Sequence, residues 1–374
     1  MERLPRLVET PVQLAEMLAD LRQAPLIAVD TESNAFHAYR PRVCLIQLAD
    51  RTHEWVVDTK TLEELAPLAE LLNDPRHTKV LHAAEGDILA LRRDLGWGLA
   101  PVFDTMIAAR LLGIRRYGLA DLLADLFHVR LEKRFQRHDW GERPVPPAAL
   151  RYAGADVRYL LPLHDVLRER LATAGLLEVA AEEFERVSRV VPEAREFDEH
   201  GFWRIKGARD LPPRAQAVLR ELYLFRDERA RAQDRPPFKL LSDDALLAIA
   251  ARAPLDLNAL RRLGLTPLQV DRYGNGLLAA VRRGLQAKPP QPPRAGPPPD
   301  PRVLARYEAL RDWRRRVAAA RGVEPDVILP NAALRALAQA APITEADVVR
   351  VANLGPWKAR AYAAELARIL QEVA

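Results

Sequence analysis

The run Leu26-Ile27-Ala28-Val29 leads directly into Asp30-Thr31-Glu32. Four apolar residues, two of them β-branched, predict a buried strand that ends on an acidic turn. Alternate residues of a strand point the same way, so Asp30 and Glu32 leave its end on one face. Two carboxylates that close repel each other unless a proton or a cation intervenes. A solvated strand end explains such a pair equally well, and the residues around it have to decide.

Outward from this strand, 43–48 and 55–58 are short and β-rich, and 79–82 and 101–103 predict two more strands. Between them, 62–72 and 87–95 carry helical spacing, and Thr10-Pro11 is an N-cap and first-turn proline for a helix marked by Leu14, Met17, Leu18 and Leu21. Asp104 caps a helix over 106–112. Beyond residue 119 the strand signal stops, and helices are predicted at 119–127, 147–174 and 176–189. The polar, aromatic loop 132–146 is a candidate active-site lid, with Asp139 as its brace. Strands alternating with helices imply an α/β domain with a mixed sheet flanked by helices.

A chain of 374 residues, 49% hydrophobic and with 30 prolines, predicts two or three domains joined by linkers. One cysteine, Cys44, excludes an intramolecular disulfide and fits a reducing cytoplasm. No secretory signal and no membrane-spanning apolar run is visible. Charge is divided unevenly: residues 1–200 hold 26 Lys and Arg against 33 Asp and Glu, 201–300 hold 18 against 10, and 301–374 hold 12 against 8. An acidic first half joined to a basic second half points to a polyanionic partner.

The basic half is duplicated. Phe225-Arg226, Pro237, Leu241, Asp243, Leu246, Ala250 and Pro254 are matched at an offset of 88 by Trp313-Arg314, Pro325, Leu329, Asn331, Leu334, Ala338 and Pro342. Two all-α helical modules, 210–285 and 302–374, are therefore expected after a first domain over 1–200, with the proline-rich stretch 286–301 as an extended spacer. Phe225, Trp313 and Trp357 sit at core positions. Trp357, with Lys358 and Arg360 after the turn Leu354-Gly355-Pro356, is also placed to touch a backbone phosphate.

Three more residues fall where the first-domain elements would bring them to Asp30 and Glu32. Asp87 follows His82 by five residues, on the first turn of a helix, and Tyr152 and Asp156 project from one helical face at i and i+4. The same Tyr-x-x-x-Asp spacing recurs without evident use at Tyr223 and Asp227, so order and context carry the signal. Val29-Asp30-Thr31-Glu32, Gln47-Leu48-Ala49, His82-Ala83-Ala84-Glu85-Gly86-Asp87, Phe103-Asp104-Thr105, Asp139-Trp140, Arg143-Pro144 and Tyr152-Ala153-Gly154-Ala155-Asp156-Val157 together resemble the ribonuclease D family, in the tyrosine-bearing branch of the DEDD exonucleases. The duplicated modules resemble HRDC domains.

The resemblance implies a ribonuclease H-like fold and a 3′→5′ exoribonuclease that releases nucleoside 5′-monophosphates from tRNA precursors or other structured RNA. It implies that Asp30, Glu32, Asp87 and Asp156 hold two divalent ions, Mg²⁺ or Mn²⁺, and that Tyr152 orients the attacking water. Hydrolysis of a phosphodiester suits such a set, because paired ions generate the nucleophile and stabilise both the attacking and leaving oxygens, and all-oxygen ligands select hard cations. Thr31, Gln47, His82, Gln136 and Trp140 are the expected substrate contacts. A monomer without membrane association is expected. DNA exonuclease activity, and a nucleic-acid-binding protein with an inactive exonuclease fold, are the alternatives.

Overall fold

The computed structural model describes residues 4–132, 134–193, 196–293, 300–342 and 344–373. Positions 294–299 of the predicted spacer lie outside the described residues. Strands β1 (Arg6–Val8), β2 (Leu26–Ser33), β3 (Val43–Ala49), β4 (Glu54–Asp58), β5 (Thr78–Leu81) and β6 (Val102–Asp104) form one sheet in the order β1-β4-β3-β2-β5-β6. β3 runs antiparallel to β4, whereas β1–β4, β2–β5 and β5–β6 are parallel, which is the mixed sheet expected. β1 has only three residues and lies at an edge, too short to show alternation in the sequence.

The first-domain helices are α1 (Pro11–Leu21), α2 (Ala66–Asn73), α3 (Glu85–Leu95), α4 (Thr105–Leu111), α5 (Leu119–Phe127), α6 (Pro147–Arg158), α7 (Leu160–Thr173) and α8 (Leu177–Ser188). Thr10 caps α1, as its sequence predicts, and Gln13 returns a reciprocal bond to it. The single helix expected over 147–174 is instead two, broken at Tyr159. Pro162 has no N–H to offer the Arg158 carbonyl and its ring crowds that carbonyl, so the helix turns there.

The alternation of β2 sorts the layers. Ile27 and Val29 join Leu14, Met17, Leu68, Leu81 and Ile88 on one face, under α1, α2 and α3. Ala28 joins Val80, Phe103, Leu123 and Leu163 on the other, under α4, α5 and α7. α6 covers β3 and β4 on this second face through Leu150 and Ala153 against Leu45 and Val56. Ile27, Ala28 and Val29 of β2 are fully buried, so its register is held firmly.

The helical modules are α9 (Pro213–Ala232), α10 (Pro237–Leu240), α11 (Asp243–Arg252), α12 (Leu257–Arg261) and α13 (Pro267–Gln286), then α14 (Pro301–Arg321), α15 (Pro325–Ile328), α16 (Asn331–Ala340), α17 (Glu345–Ala352) and α18 (Pro356–Glu372). The duplication extends to a buried arginine. Arg226 Nη1 donates to the Leu241 carbonyl at 3.0 Å and to Asp243 at 2.7 Å. Arg314, at the matching position, donates to the Leu329 carbonyl at 2.7 Å and to Asn331 at 2.9 Å.

Two compact units result: Met1–Glu32, Val43–Pro192 and Pro297–Ala374 form one, and Ser33–Arg42 with Glu193–Gly296 form the other. Within the second unit, the Tyr39 hydroxyl donates to Asp227 at 2.7 Å, which gives that aspartate a structural use. Within the first, the second module packs on α4 and α8. Val327, Val323 and Trp357 join the cluster around Val179 and Phe184, Lys358 Nζ pairs with Glu183 at 2.7 Å, and Arg110 pairs with Asp326 at 2.7 Å and Glu324 at 2.8 Å. Arg360 pairs with Glu178, and Glu182 accepts the Trp357 backbone N–H. The phosphate contact expected here is thus corrected for Lys358 and Arg360, whose charged groups are taken up by Glu183 and Glu178 of the same chain. Among the described residues no helix is long and apolar enough to cross a membrane.

A chain ending before α14 uncovers the apolar surface around Val179 and Phe184. Its melting temperature is expected to fall by about 5 °C or more relative to the full chain in a calorimetric scan. An unchanged value would show that this contact adds no stability.

Candidate active site

The acidic end of β2 inherits the face assignment of its buried part. Asp30 and Glu32 follow Ala28 onto the α6 side, and Thr31 follows Val29 onto the α3 side. On the α6 side, Asp156 meets the pair: Asp30, Glu32 and Asp156 each offer an oxygen, and the three atoms lie within 4.8 Å of one another. On the α3 side, Thr31 Oγ1 donates to Asp87 Oδ1 at 2.5 Å, so Asp87 approaches the strand end from across the sheet. Thr31, expected at the terminal nucleotide, therefore holds Asp87.

α6 reaches the sheet closely because of one glycine. A Cβ at Gly154 would stand 2.9 Å from Pro5 Cγ and 3.2 Å from Glu54 Oε2. Arg158, one turn on, pairs with Glu54 at 2.7 Å and holds the helix in that position. The motif Tyr152-Ala153-Gly154-Ala155-Asp156 thus combines two site residues with the contact that sets their depth.

The start of α3 depends on Asp104. Ala83 is in a left-handed conformation, φ 60°, that a side chain rarely adopts. The buried Asp104 carboxylate accepts from Ala83 N at 3.1 Å and Ala84 N at 2.8 Å, and also from Met106 N at 2.8 Å and Ile107 N at 3.1 Å. The sequence identifies only the second pair, the cap of α4. The first pair fixes the turn that delivers Asp87, and its signal is non-local.

Tyr152 stands against aromatic residues of the loop 132–146. Its ring stacks on Trp140 with centroids 6.0 Å apart, and Phe135 lies 5.7 Å away. Arg143 pins this loop to the sheet by donating to the fully buried Asp58, to the Cys44 carbonyl at 3.2 Å and to the Trp140 carbonyl at 2.7 Å. Trp140 is 2% exposed, so it supports Tyr152 from behind and the nucleotide contact expected of it is corrected. Gln47 is likewise corrected: it is 0% exposed on β3, out of reach of a nucleotide. Gln136 is exposed on the loop.

His82 is a brace. Thr105 Oγ1 gives its proton to the Leu81 carbonyl at 2.9 Å and so accepts from His82 Nδ1 at 2.9 Å. Nε2 then carries a bare lone pair, is buried, and has no partner among the described residues. Burial pushes the imidazole down to about 4, which favours its neutral form at physiological pH.

Burial raises every acidic group at the centre, and mutual repulsion raises Asp30 and Glu32 further. Asp30 is pushed well up by burial and by Asp87, Asp156 and Glu32. Burial and the charges of Asp156 and Asp87 raise Glu32 to about 8, and burial raises Asp156 to about 7 and Asp87 to about 6, the last opposed by its Thr31 hydrogen bond. Burial and the same carboxylates also raise the Tyr152 hydroxyl, which stays protonated. A trio of convergent carboxylate oxygens held together against such repulsion can bind a hard metal ion.

Residues 5–172 match the family model described as a 3′-5′ exonuclease, and 215–281 and 303–370 each match the HRDC domain. The ribonuclease D of Pseudomonas paraeruginosa is 32% identical over 337 residues, covering 88% of this chain and 88% of its own. The crystal structure of Escherichia coli RNase D, an exoribonuclease involved in structured RNA processing, aligns with a TM-score of 0.66 at 27% identity over 98% of this chain and 99% of that one. A protein from Bifidobacterium adolescentis shares the fold, with a TM-score of 0.82 at 22% identity over 99% of this chain and 98% of its own.

In the metal-free protein these acids bind protons more tightly folded than unfolded. That contribution to stability is full below their ordinary values and is lost as the pH rises to about 8, the value for Glu32. The melting temperature of chelator-treated protein is expected to fall between about pH 5 and about pH 8, and Glu32→Gln to lessen the fall. A rise across this window would contradict the clustering.

Proposed function

The chain belongs to the ribonuclease D family of 3′-5′ exoribonucleases, and on that premise we propose that it removes nucleoside 5′-monophosphates from RNA 3′ ends with two divalent ions, Mg²⁺ or Mn²⁺. The observation that carries this reading is the convergence of Asp30, Glu32 and Asp156 oxygens within 4.8 Å, beside a protonated Tyr152 hydroxyl. The donor set fits hard cations, since it is all oxygen and its charges repel without one. Asp30, Glu32, Asp156 and, from the α3 side, Asp87 would hold the ions. Bound there, they would supply an activated water and neutralise charge on the scissile phosphate.

Tyr152 orients that water through its hydroxyl, from the same face of α6 as Asp156. Phe135 and Trp140 keep its ring in place. His82 and Asp104 hold the turns beneath. Exposed Gln136 on the loop is the proposed contact to the terminal nucleotide. The proposed substrates are tRNA precursors and other structured RNAs, gripped by the basic segment 201–300, with 18 Lys and Arg against 10 Asp and Glu. Catalytic residues then fall in 1–200, with modules over 210–285 and 302–374 around the spacer 286–301, in a monomeric cytoplasmic enzyme.

End-labelled RNA with a 3′-hydroxyl should be shortened to mononucleotides by the wild type with Mn²⁺ and left intact by Asp30→Ala. Tyr152→Phe should lower kcat about 100-fold with little change in KM. Added Mn²⁺ should raise the melting temperature of the wild type and not of Asp30→Ala/Asp156→Ala. Equal shifts in both proteins would refute the metal assignment.

A further inference from the structure

Beside the acidic centre lies a second, oppositely charged feature. A pocket of about 210 Å³ opens on Tyr152 and Asp156, between α6 and the segment 129–132, and Arg130, Arg134 and Arg151 stand around it. Ala148 and Ala155 line it, small residues on α6 that leave the space open. Arg158, also at its edge, is committed to Glu54, and Arg134 lies 3.7 Å from Glu132 with its guanidinium over the Phe135 ring. Arg130 and Arg151 are exposed and have no carboxylate partner among the described residues.

Arg134 shares the pocket with Glu132, but Arg130 and Arg151 leave two guanidinium groups there free to take an anion. The scissile phosphate belongs at the carboxylates, where metal would meet it. A polynucleotide presents its next phosphate one nucleotide away, so an anion-binding pocket adjoining Asp156 suits a neighbouring phosphodiester. We propose that Arg130, Arg134 and Arg151 bind the phosphodiester immediately 5′ of the scissile one. This phosphate stays on the RNA after each cut and becomes the next to be cleaved, so the pocket holds the shortened chain in place between cuts. The assignment rests on the exoribonuclease reading above and deepens it.

The test compares a dinucleoside monophosphate, which has only the scissile phosphodiester, with the matching trinucleoside diphosphate, which has the additional one. Arg130→Ala/Arg151→Ala, in the full chain with Mn²⁺, is expected to lower kcat/KM for the trinucleotide about tenfold, mainly through KM, and to leave the dinucleotide unchanged. On longer RNA the double variant should reduce the salt slope of binding by about one, because both arginines act on the same single phosphodiester charge. A trinucleotide carrying a neutral methylphosphonate at the upstream position should be cleaved equally by wild type and variant. Equal losses on both short substrates would assign the arginines to the scissile or terminal nucleotide and overturn the proposal, as would no loss on either. A wild type inactive on every substrate would instead strike the exoribonuclease reading itself.

Discussion

Repulsion among Asp30, Glu32, Asp87 and Asp156 is the constraint on which the rest of the first domain depends. Burial raises the proton affinity of all four, and their charges on one another raise Asp30 and Glu32 further. Left to themselves, four such groups would separate into water. They stay together because each is carried by an element whose position is set by apolar packing elsewhere. β2 is held by fully buried Ile27, Ala28 and Val29, and α6 by Leu150, Ala153 and Val157. The site is therefore a place where stability won by the core is given up to keep an arrangement ready for a cation.

The supporting polar contacts are themselves buried and charge-assisted. Asp104 accepts four backbone N–H groups and so fixes both the strained turn at Ala83 and the start of α4. Arg143 on the buried Asp58 ties the loop 132–146 to the sheet. Each is a carboxylate satisfied by donors, in contrast to Asp30, Glu32 and Asp156, whose oxygens face one another. That difference separates the carboxylates that build the fold from those that leave a cation site.

The two helical modules show how a duplicated fold can take on different work. Both keep a buried arginine on the carbonyl of Leu241 or Leu329 and on the side chain that follows by two residues. They part at the surface. In the second module Trp357, Lys358 and Arg360 meet Glu182, Glu183 and Glu178 of α8, and at the equivalent start of α13 Leu268 is 63% exposed. Positive charge alone does not mark a nucleic-acid surface, because Lys358 and Arg360 of α18 are already paired within the chain.

What the sequence determined by itself is local. The alternation in β2, the four-residue spacing of Tyr152 and Asp156, the caps at Thr10 and Asp104, and the 88-residue repeat all follow from period and neighbour chemistry, and with them the α/β architecture and the acidic residues. Tertiary structure decided which neighbours those residues meet. Gln47 and Trp140 are polar or aromatic at positions that suit a nucleotide, yet both are buried, and Thr31 turns to Asp87, 56 residues away. Lys358 reads as a free cation until Glu183, far earlier in the chain, is brought to 2.7 Å. Periodicity is a property of a segment and can be read along it. Partnership between distant charges depends on how whole layers pack, and no segment carries that information alone.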